Sequence, residues 1–344
     1  MENCSNITRN GYWILKEDTT FDIYSYISCV IILVAIVGNT FVIVIQNRLG
    51  GARVGGATAN RLIIGLAVAD LLTACFQIPI PEFVNVPNTA AGQFYCRIIE
   101  SDALAWVCFI ASVYTLTTIS IERYAAIVHP FTYRIWVHRN LAKYAFILIW
   151  LASLIVNLYI IIFRTIDECG ECDSVYPYQS SRPINGIFLF LLEYLGPLVV
   201  MLYTISRSIV SLRSARLGDD TKIVTSKYSH SRMQQAIHRR LTATFTVVFV
   251  AFVVVWTPDQ IAFLLHNLGR LHEDFRQSLA YMFLVKLAFL NSSAVNPIIY
   301  SFCLPRFRQE LKRLLLCRGR QYRYQSDTPE ETQSSVSKSV TSTQ

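Results

Sequence analysis

Seven long apolar blocks constrain this chain more than any other feature of its sequence. Each approaches the roughly 20 residues that a helix needs to cross the hydrocarbon core of a bilayer. None carries more than one charged residue, and they occupy residues 23–45, 62–81, 103–121, 144–163, 183–206, 241–265 and 279–304. Lipid offers no hydrogen-bond partners to backbone N–H and C=O groups, so a spanning segment must satisfy them within the chain. These blocks therefore predict an all-α membrane protein built as a seven-transmembrane helix bundle.

The distribution of charge predicts how the bundle is oriented. Only 16% of the residues are charged, against about 25% in soluble domains. Basic residues collect after the first and third spans and in residues 207–240, whereas the connection between spans four and five holds four acidic residues. The positive-inside rule then gives a multi-pass plasma-membrane protein with an extracellular N-terminus and a cytoplasmic C-terminus. The net charge is +8, but the charged residues lie between the apolar blocks, so no nucleic-acid partner is predicted.

The segments before and after the seven apolar blocks differ from them in composition. Residues 1–22 carry glycosylation sequons at Asn3 and Asn6, as expected of an extracellular segment, and no removable signal peptide is predicted. Residues 23–304 form the bundle, and a short amphipathic cytoplasmic helix at 305–317 follows span seven. Residues 318–344 are polar and rich in serine and threonine, which predicts a disordered tail open to phosphorylation.

Polar residues inside the apolar blocks are the first functional candidates. Asp70 lies in the middle of span two, and Asn39, Ser112, Ser293 and Asn296 are polar residues of other spans that could contact it. A carboxylate in lipid costs several kcal/mol unless it is paired or hydrated. Two interpretations remain open: an ion or proton site, or a structural hydrogen-bonding hub.

Other residues indicate places where the bundle could move. Pro258, close to Trp256, and Pro297 interrupt spans six and seven, and each is either a hinge or an architectural kink. Glu122 and Arg123 are adjacent at the cytoplasmic end of span three. This pair is either a releasable contact or two charged side chains that reach toward the interface.

Several short motifs occur in a fixed order on these spans. They are Gly38-Asn39, Leu66-Ala67-Val68-Ala69-Asp70, Glu122-Arg123-Tyr124, Pro130-Phe131, Trp150, Pro197, Phe252 with Trp256-Thr257-Pro258, and Asn296-Pro297-Ile298-Ile299-Tyr300. Across residues 23–317, this ordered set resembles the rhodopsin-like (class A) family of G-protein-coupled receptors, and within it the neuropeptide receptors.

The resemblance implies an activation switch inside the bundle. Arg123 would hold the resting state through Glu122 and then turn to meet a heterotrimeric G protein. Phe252 and Trp256 would relay ligand contact to span six, and Tyr300 would repack toward Arg123. The full set of implied switch residues is Glu122, Arg123, Tyr124, Phe252, Trp256, Pro258, Asn296, Pro297 and Tyr300. On the tail, receptor kinases and then arrestin would act.

The same resemblance implies further sites. A sodium ion would be held by Asp70, Ser112, Ser293 and Asn296, and no other cofactor is expected. Cys317 is similar to a palmitoylation site that ties the short helix to membrane lipids.

A disulfide is also implied, from Cys96 to the second extracellular loop, where Cys169 and Cys172 are both available. In peptide receptors the bridging cysteine often stands shortly before an aromatic-proline pair, which favours Cys172 and leaves Cys169 to pair with Cys4. Sequence alone leaves this connectivity open.

The chain also departs from the family pattern. Cys96 and Arg123 are 27 positions apart, two more than usual, so span three is expected to begin with a bulge or an extra turn. Ile205 stands where span five usually has a tyrosine, although Tyr203 is close. His238 replaces the acidic residue with which some members lock the arginine, so that lock is not expected.

Acidic residues at the outer end of the bundle suggest the ligand. They are Glu82, Glu100, Asp102, Glu193 and Asp259. Desolvated carboxylates favour a cation, so we predict a small cationic or amidated neuropeptide that contacts a defined set of residues. That set is Asp102, Glu193, Asp259, Gln260, Lys286 and Trp256. Alternatively, the acids pair with Lys286, Arg97 and Arg182.

Two other functions remain possible on the sequence. A biogenic amine could use Asp102 or Asp259 as its partner. In a different class, a transporter or ion pathway could run through Asp70, although internal repeats of the kind many transporters carry are absent. No enzymatic activity is predicted.

Overall fold

Long helices make up most of the described chain. The computed structural model describes residues 12–15, 23–49, 57–136, 141–167, 169–175, 178, 181–219, 226–271, 278, 281, 285 and 291–316. Among these residues, six helical stretches are long and apolar enough to cross a membrane. They coincide with the first six predicted spans, and several extend well beyond the predicted bounds.

The helices take their labels in chain order. They are α1 (Ile23–Leu49), α2 (Ala57–Phe76), α3 (Ala90–Phe94), α4 (Ala103–Val128), α5 (Pro130–Trp136), α6 (Leu141–Phe163), α7 (Ser181–Leu189), α8 (Gly196–Asp219), α9 (Ser226–Asn267), α10 (Asn296–Cys303) and α11 (Pro305–Leu315). Three π-helical segments adjoin them: π1 (Tyr95–Glu100), π2 (Phe190–Leu195) and π3 (Asn291–Val295). The strands are β1 (Ile14–Leu15), β2 (Phe83–Asn85), β3 (Arg164–Ile166) and β4 (Cys172–Ser174).

The seventh span is described along its inner half. There π3 continues into α10, and farther out Tyr281 and Val285 are also helical. At the junction, Pro297 lies in the first turn of α10. Helix α10 ends at Cys303, and α11 begins two residues later with Pro305, which suits the first turn of a helix because its missing N–H would have no helical partner there.

Apolar side chains cover the outside of the bundle, as a lipid environment requires. Exposed examples from four helices are Leu33, Leu148, Leu151, Ile155, Val199, Leu202 and Val254. Inside, Phe109, Phe252 and Trp256 form a continuous apolar core with residues of the other spans. Small residues allow close helix contacts: a Cβ at Gly65 would lie 1.9 Å from Phe146 Cε1, so α2 and α6 nearly touch there.

The two extra positions in span three coincide with an irregular start. Residues Tyr95–Glu100 form the wide π1 turn. Asp102 then adopts a left-handed conformation with φ 54°, and the regular helix α4 begins at the next residue. The predicted bulge is therefore present, and it changes which side chains of this segment face inward.

Two small sheets cap the outer end of the bundle. Strand β1 pairs with β2, where the Trp13 ring meets Phe83 and Tyr95 at centroid distances of 4.9 and 5.4 Å. Strands β3 and β4 form an antiparallel pair with Arg164 opposite Ser174. These sheets join the N-terminal segment and the loops into one cap.

A disulfide ties this cap to span three. Cys96 is bonded to Cys172, the cysteine that the family resemblance favoured. Cys169 is disulfide-bonded as well, and its expected partner Cys4 lies outside the described residues.

The amphipathic helix predicted at 305–317 is α11. Phe307 is buried, Leu311 and Leu314 are half-buried, and Arg306 and Arg308 are exposed. The helix therefore lies with its apolar side on the bundle. Cys317 and the predicted tail at 318–344 lie outside the described residues, as do Asn3 and Asn6.

Candidate ligand-binding site and activation core

A cavity of about 530 Å³ opens between the outer ends of the helices. This volume lies in the range of sites for small ligands. Its lining is Glu100, Ser101, Trp106, Tyr159, Ile160, Phe163, Arg164, Asp173, Ser174, Arg182, Asn185, Glu193, Asp259, Gln260, Phe263, His266, Asn267 and Tyr281. Residues of spans three to seven and of β4 meet here, so one ligand could contact most of the bundle.

Two buried carboxylates face this cavity. Glu193 is 5% exposed, Asp259 is 2% exposed, and both belong to its lining. The Gln260 amide donates a hydrogen bond of 3.2 Å to Asp259 Oδ2. Glu193 Oε1 and Gln260 Oε1 have no hydrogen-bond partner among the described residues. Buried acceptors of this kind favour a cationic or hydrogen-donating group as their ligand.

The rim of the cavity carries pairs that the sequence did not indicate. Arg164 Nη2 donates to both carboxylate oxygens of Glu100 at 2.5 and 2.7 Å, and its Nε donates at 2.9 Å. Arg182 Nη2 lies 2.5 Å from His266 Nε2. Glu100 is therefore neutralised by a cross-loop partner, which leaves Glu193 and Asp259 as the buried acids of the cavity.

The predicted ligand-binding residues separate into groups. Glu193, Asp259 and Gln260 come together in the cavity. Asp102 is exposed at the start of α4 and is not among the lining residues, whereas its neighbours Glu100 and Ser101 are. The bulge at π1 accounts for this difference, because it rotates the residues before α4. Lys286 lies outside the described residues.

The structure also bears on the alternative in which the acids form ion pairs with basic residues of the chain. In the part of the chain that the structure describes, Glu193 and Asp259 form no ion pair with Arg97 or Arg182. Instead, Arg182 contacts His266. Pairing with Lys286 falls outside the described residues.

Aromatic rings connect the cavity with the inside of the bundle. Trp256 is fully buried, and its ring lies 4.9 Å from Phe109, 5.0 Å from Phe252 and 5.6 Å from Tyr194 between centroids. Tyr194 Oη also lies 2.5 Å from Thr257 Oγ1. Asp259 is three residues after Trp256 in α9, with Pro258 between them. A ligand that displaces Asp259 would therefore act on the helix that holds this cluster.

Two of the four polar residues predicted to contact Asp70, Ser112 and Asn296, donate hydrogen bonds to its carboxylate. Ser112 Oγ donates to Asp70 Oδ1 at 2.6 Å, and Asn296 Nδ2 donates to Oδ2 at 2.9 Å. The Asn39 amide donates to the Ser293 carbonyl at 2.5 Å. Asn39 Oδ1 and Ser293 Oγ are buried without a hydrogen-bond partner among the described residues. Carboxylate, hydroxyl and amide oxygens fit a small hard cation.

At the inner end of span three, Glu122 and Arg123 form a buried ion pair. Tyr133 of α5 donates its hydroxyl hydrogen to Glu122, a contact that the sequence analysis missed. Burial and the Glu122 carboxylate raise the pKa of Tyr133, so the phenol stays protonated and remains a donor. Its only signal in the sequence is a tyrosine in a short loop, which carries little information.

Tyrosines near this end are arranged differently from the usual family pattern. Tyr300 is buried, and its hydroxyl has no hydrogen-bond partner among the described residues. Ile205 is buried too, whereas Tyr203 is exposed and its ring lies tilted beside that of Tyr124, with centroids 6.0 Å apart. Tyr124 Oη lies 3.2 Å from His129 Nε2. Tyr203 therefore does not take over the inward position of the missing tyrosine.

Comparisons with known proteins bear on the whole arrangement. The family model described as "7 transmembrane receptor (rhodopsin family)" matches residues 38–300. The chain is 28% identical to somatostatin receptor type 5 of Rattus norvegicus over 293 residues, which is 83% of this chain and 75% of that receptor. It is 29% identical to the allatostatin-A receptor of Bombyx mori, with 83% and 77% covered. A QRFP-like peptide receptor of Branchiostoma floridae is 25% identical, with 91% and 82% covered.

Proposed function

Because the chain belongs to the rhodopsin family of seven-transmembrane receptors, we propose that it is a G-protein-coupled receptor activated by a small cationic or amidated peptide. The observation that carries this proposal is the pair of buried carboxylates, Glu193 and Asp259, which face one cavity. Somatostatin, allatostatin-A and QRFP-like peptide receptors are similar along most of their length, which supports a peptide ligand.

The ligand would act by shifting a population between two arrangements of the bundle. A guanidinium or terminal amide that donates to Glu193 and Asp259 would bind best when spans five and six approach each other at the cavity. Movement of α9 would disturb the packing of Trp256 on Phe109. The inner ends would then separate around Arg123, where a heterotrimeric G protein binds.

The test is a pair of charge-removing variants, Glu193→Gln and Asp259→Asn. Agonists are found by screening amidated peptides and biogenic amines for ligand-dependent nucleotide exchange on a G protein. A hydrogen bond to a charged group contributes about 1.5–3 kcal/mol, so each variant should lower the potency of an arginine-containing peptide by roughly 10- to 100-fold. Replacing that arginine with citrulline should lower potency in the wild type and much less in the variants.

The matched control is Glu171→Gln, which removes the same charge from an exposed residue of the nearby loop that does not line the cavity. Potency should change little in this variant, because exposed charge pairs contribute little. Equal losses in all three variants would point to long-range charge instead of contact. Activation by amines and by none of the peptides would assign the cavity to an amine, with Asp259 as its partner.

A sodium ion at Asp70 is part of the proposal. The residues that would hold it are Asp70, Ser112, Ser293 and Asn39 through oxygen atoms, with Asn296 orienting the carboxylate. When bound, the ion would supply the positive charge that Asp70 lacks inside the bundle, and it would favour the resting arrangement. A transporter pathway through Asp70 is not favoured by the family match.

The remaining partners and placements follow from the same family. We expect a plasma-membrane protein with its N-terminus outside, glycosylated at Asn3 and Asn6, and its C-terminus in the cytoplasm. Cys317 would carry palmitate next to α11. Receptor kinases would phosphorylate the tail at 318–344, and arrestin would bind the product. Epitope tags placed before residue 12 and after residue 330 would reveal this orientation in intact cells.

A further inference from the structure

The outer cavity has an excess of negative charge. In the part of the chain that the structure describes, its lining holds four acidic residues and two arginines: Glu100, Asp173, Glu193, Asp259, Arg164 and Arg182. Arg164 is paired with Glu100, and Arg182 contacts His266. With His266 neutral, the acids of this lining exceed the arginines by two charges, which a single divalent cation would balance.

The buried part of this charge belongs to Glu193 and Asp259. Glu193 lies in π2 and Asp259 in α9, so the two carboxylates come from different spans. They are 5% and 2% exposed, and the charge of Asp259 is close enough to repel that of Glu193. Buried carboxylates are costly unless they are paired or coordinate a metal. A cation that contacts both would offset their repulsion as well as the cost of their burial.

Gln260 provides an observation that is independent of the acids. It is 2% exposed and lines the cavity. Its Nε2 donates to Asp259 Oδ2 at 3.2 Å, whereas its Oε1 has no hydrogen-bond partner among the described residues. The same holds for Glu193 Oε1. Because the amide nitrogen is used on the carboxylate, the buried amide oxygen needs a donor or a cation from the cavity.

The three side chains favour calcium over other metal ions. All of them offer oxygen atoms, and Ca²⁺ takes about 6–8 oxygen ligands from carboxylates, amide carbonyls and waters in irregular arrangements. Zn²⁺ is bound mainly by cysteine sulfur and histidine nitrogen, and Mg²⁺ demands a nearly ideal octahedron. The cavity of about 530 Å³ leaves room for the waters that would complete a calcium shell.

We propose that Glu193, Asp259 and Gln260 bind Ca²⁺ in the outer cavity when no peptide is bound. Extracellular calcium sites have dissociation constants of about 0.1–1 mM, and this cavity lies at the outer end of the bundle. The inference rests on the proposed function in one respect: the same carboxylates receive the cationic group of the peptide, so the ion and the peptide compete. Binding of the ion itself requires no peptide.

The first test measures ion binding to the full-length protein in phosphatidylcholine nanodiscs. Tb³⁺ shares the oxygen preference of Ca²⁺ and luminesces when a nearby tryptophan is excited, and Trp106 lines the cavity. Calcium chloride is titrated until it displaces Tb³⁺. In Glu193→Gln/Asp259→Asn the calcium affinity should fall at least roughly tenfold, because two charge-assisted contacts are lost. Magnesium chloride should displace Tb³⁺ less effectively, and equal displacement by both salts would overturn the assignment to calcium.

Variants of Gln260 test whether the amide oxygen is a ligand. Gln260→Leu removes it without changing the charge and should weaken calcium binding. Gln260→Glu adds a third carboxylate and should strengthen calcium binding several-fold, because affinity rises with the number of charged ligands. Misfolding could not produce such a gain. Unchanged calcium affinity in both variants would exclude Gln260 as a ligand and overturn the site.

The matched control for the double variant is Glu82→Gln/Glu171→Gln. It removes equal charge from two exposed residues at the outer end that do not line the cavity. Its calcium affinity should match that of wild type. Equal weakening in the two double variants would overturn the proposal in favour of general attraction to the outer surface. Thermal unfolding of each variant shows whether the bundle is intact.

The second test measures competition with the peptide. Binding of an arginine-containing agonist is compared at low and high calcium chloride and constant ionic strength. At a calcium concentration about ten times the dissociation constant of the ion, peptide affinity should fall roughly tenfold. Peptide affinity that is independent of calcium would overturn the shared site. Peptide binding that needs Glu193 and Asp259 in a protein that binds no calcium would leave the proposed function standing without the metal site, whereas calcium binding with no active peptide would do the reverse.

Discussion

The hydrogen bond from Tyr133 to Glu122 is predicted to stabilise the resting arrangement of the bundle, and removing it tests that prediction. The variant Tyr133→Phe keeps the ring and removes only the hydroxyl that donates to the carboxylate. Because Glu122 is buried and paired with Arg123, its acceptor oxygen cannot easily turn to water. The raised pKa of Tyr133 means that wild type keeps this donor throughout the physiological pH range.

The magnitude follows from the charge on the acceptor. A hydrogen bond to a charged group contributes about 1.5–3 kcal/mol. Tyr133 is only half-buried, so the lower end, about 1.5 kcal/mol, applies. If this contact exists only in the resting arrangement, its loss shifts the equilibrium about tenfold toward the active one. A receptor that is about 1% active without ligand would then become about 10% active.

The assay is nucleotide exchange on a purified G protein by receptor without ligand, normalised to receptor concentration. Tyr144→Phe is the matched control, because Tyr144 is an exposed tyrosine at the start of the neighbouring α6. Basal exchange should rise several-fold in Tyr133→Phe and stay at the wild-type level in Tyr144→Phe. Unchanged basal exchange in a properly folded Tyr133→Phe receptor would refute the idea that this bond distinguishes the two arrangements.

Three further variants test other parts of the structure. The purified wild-type receptor should unfold at a higher temperature in sodium chloride than in potassium chloride, and Asp70→Asn should abolish this difference. A sodium-specific rise that persists in the variant would exclude Asp70 as the sodium ligand. Gly65→Val should lower the unfolding temperature, because any Cβ there would overlap the Phe146 ring and overpacking costs about 1–3 kcal/mol; wild-type stability would mean that α2 and α6 separate freely. Trp13→Ala removes a ring whose centroid lies 4.9 Å from that of Phe83, and each aromatic pair contributes about 0.5–1.5 kcal/mol. Proteolysis should therefore cleave the N-terminal segment faster while the bundle stays intact. Equal cleavage rates would show that other contacts hold the N-terminal segment.

Much of the architecture could be read from local sequence. Apolar runs long enough for lipid, basic loops on one side and ordered motifs located the spans, and the first six recur as helices in the described chain. The excess of two positions before Arg123 correctly indicated an irregular start to span three. Its form, a π-helical turn followed by a left-handed Asp102, depends on φ and ψ angles that composition does not specify.

The sites were only partly predictable, since their geometry depends on helix rotation. From the sequence, Asp102 and Glu193 were equally good candidates for the ligand site, because both are acidic residues near the outer end of the bundle. In the structure Asp102 is exposed, because the bulge at π1 turns the segment that contains it. Glu193 belongs to π2 and is buried in the cavity. Glu100 and Arg164 are 64 positions apart in the chain, so no local pattern could have paired them.

By itself, the sequence determined which segments are apolar enough to lie in lipid, where basic residues collect between them, and which residues carry the motifs of the family. These properties depend on solvation and on short-range periodicity, which act within one segment. Only the tertiary structure decided that Glu193 meets Asp259 in one cavity and that Tyr133 reaches Glu122. Such meetings are set by how helices from distant parts of the chain pack and rotate against each other.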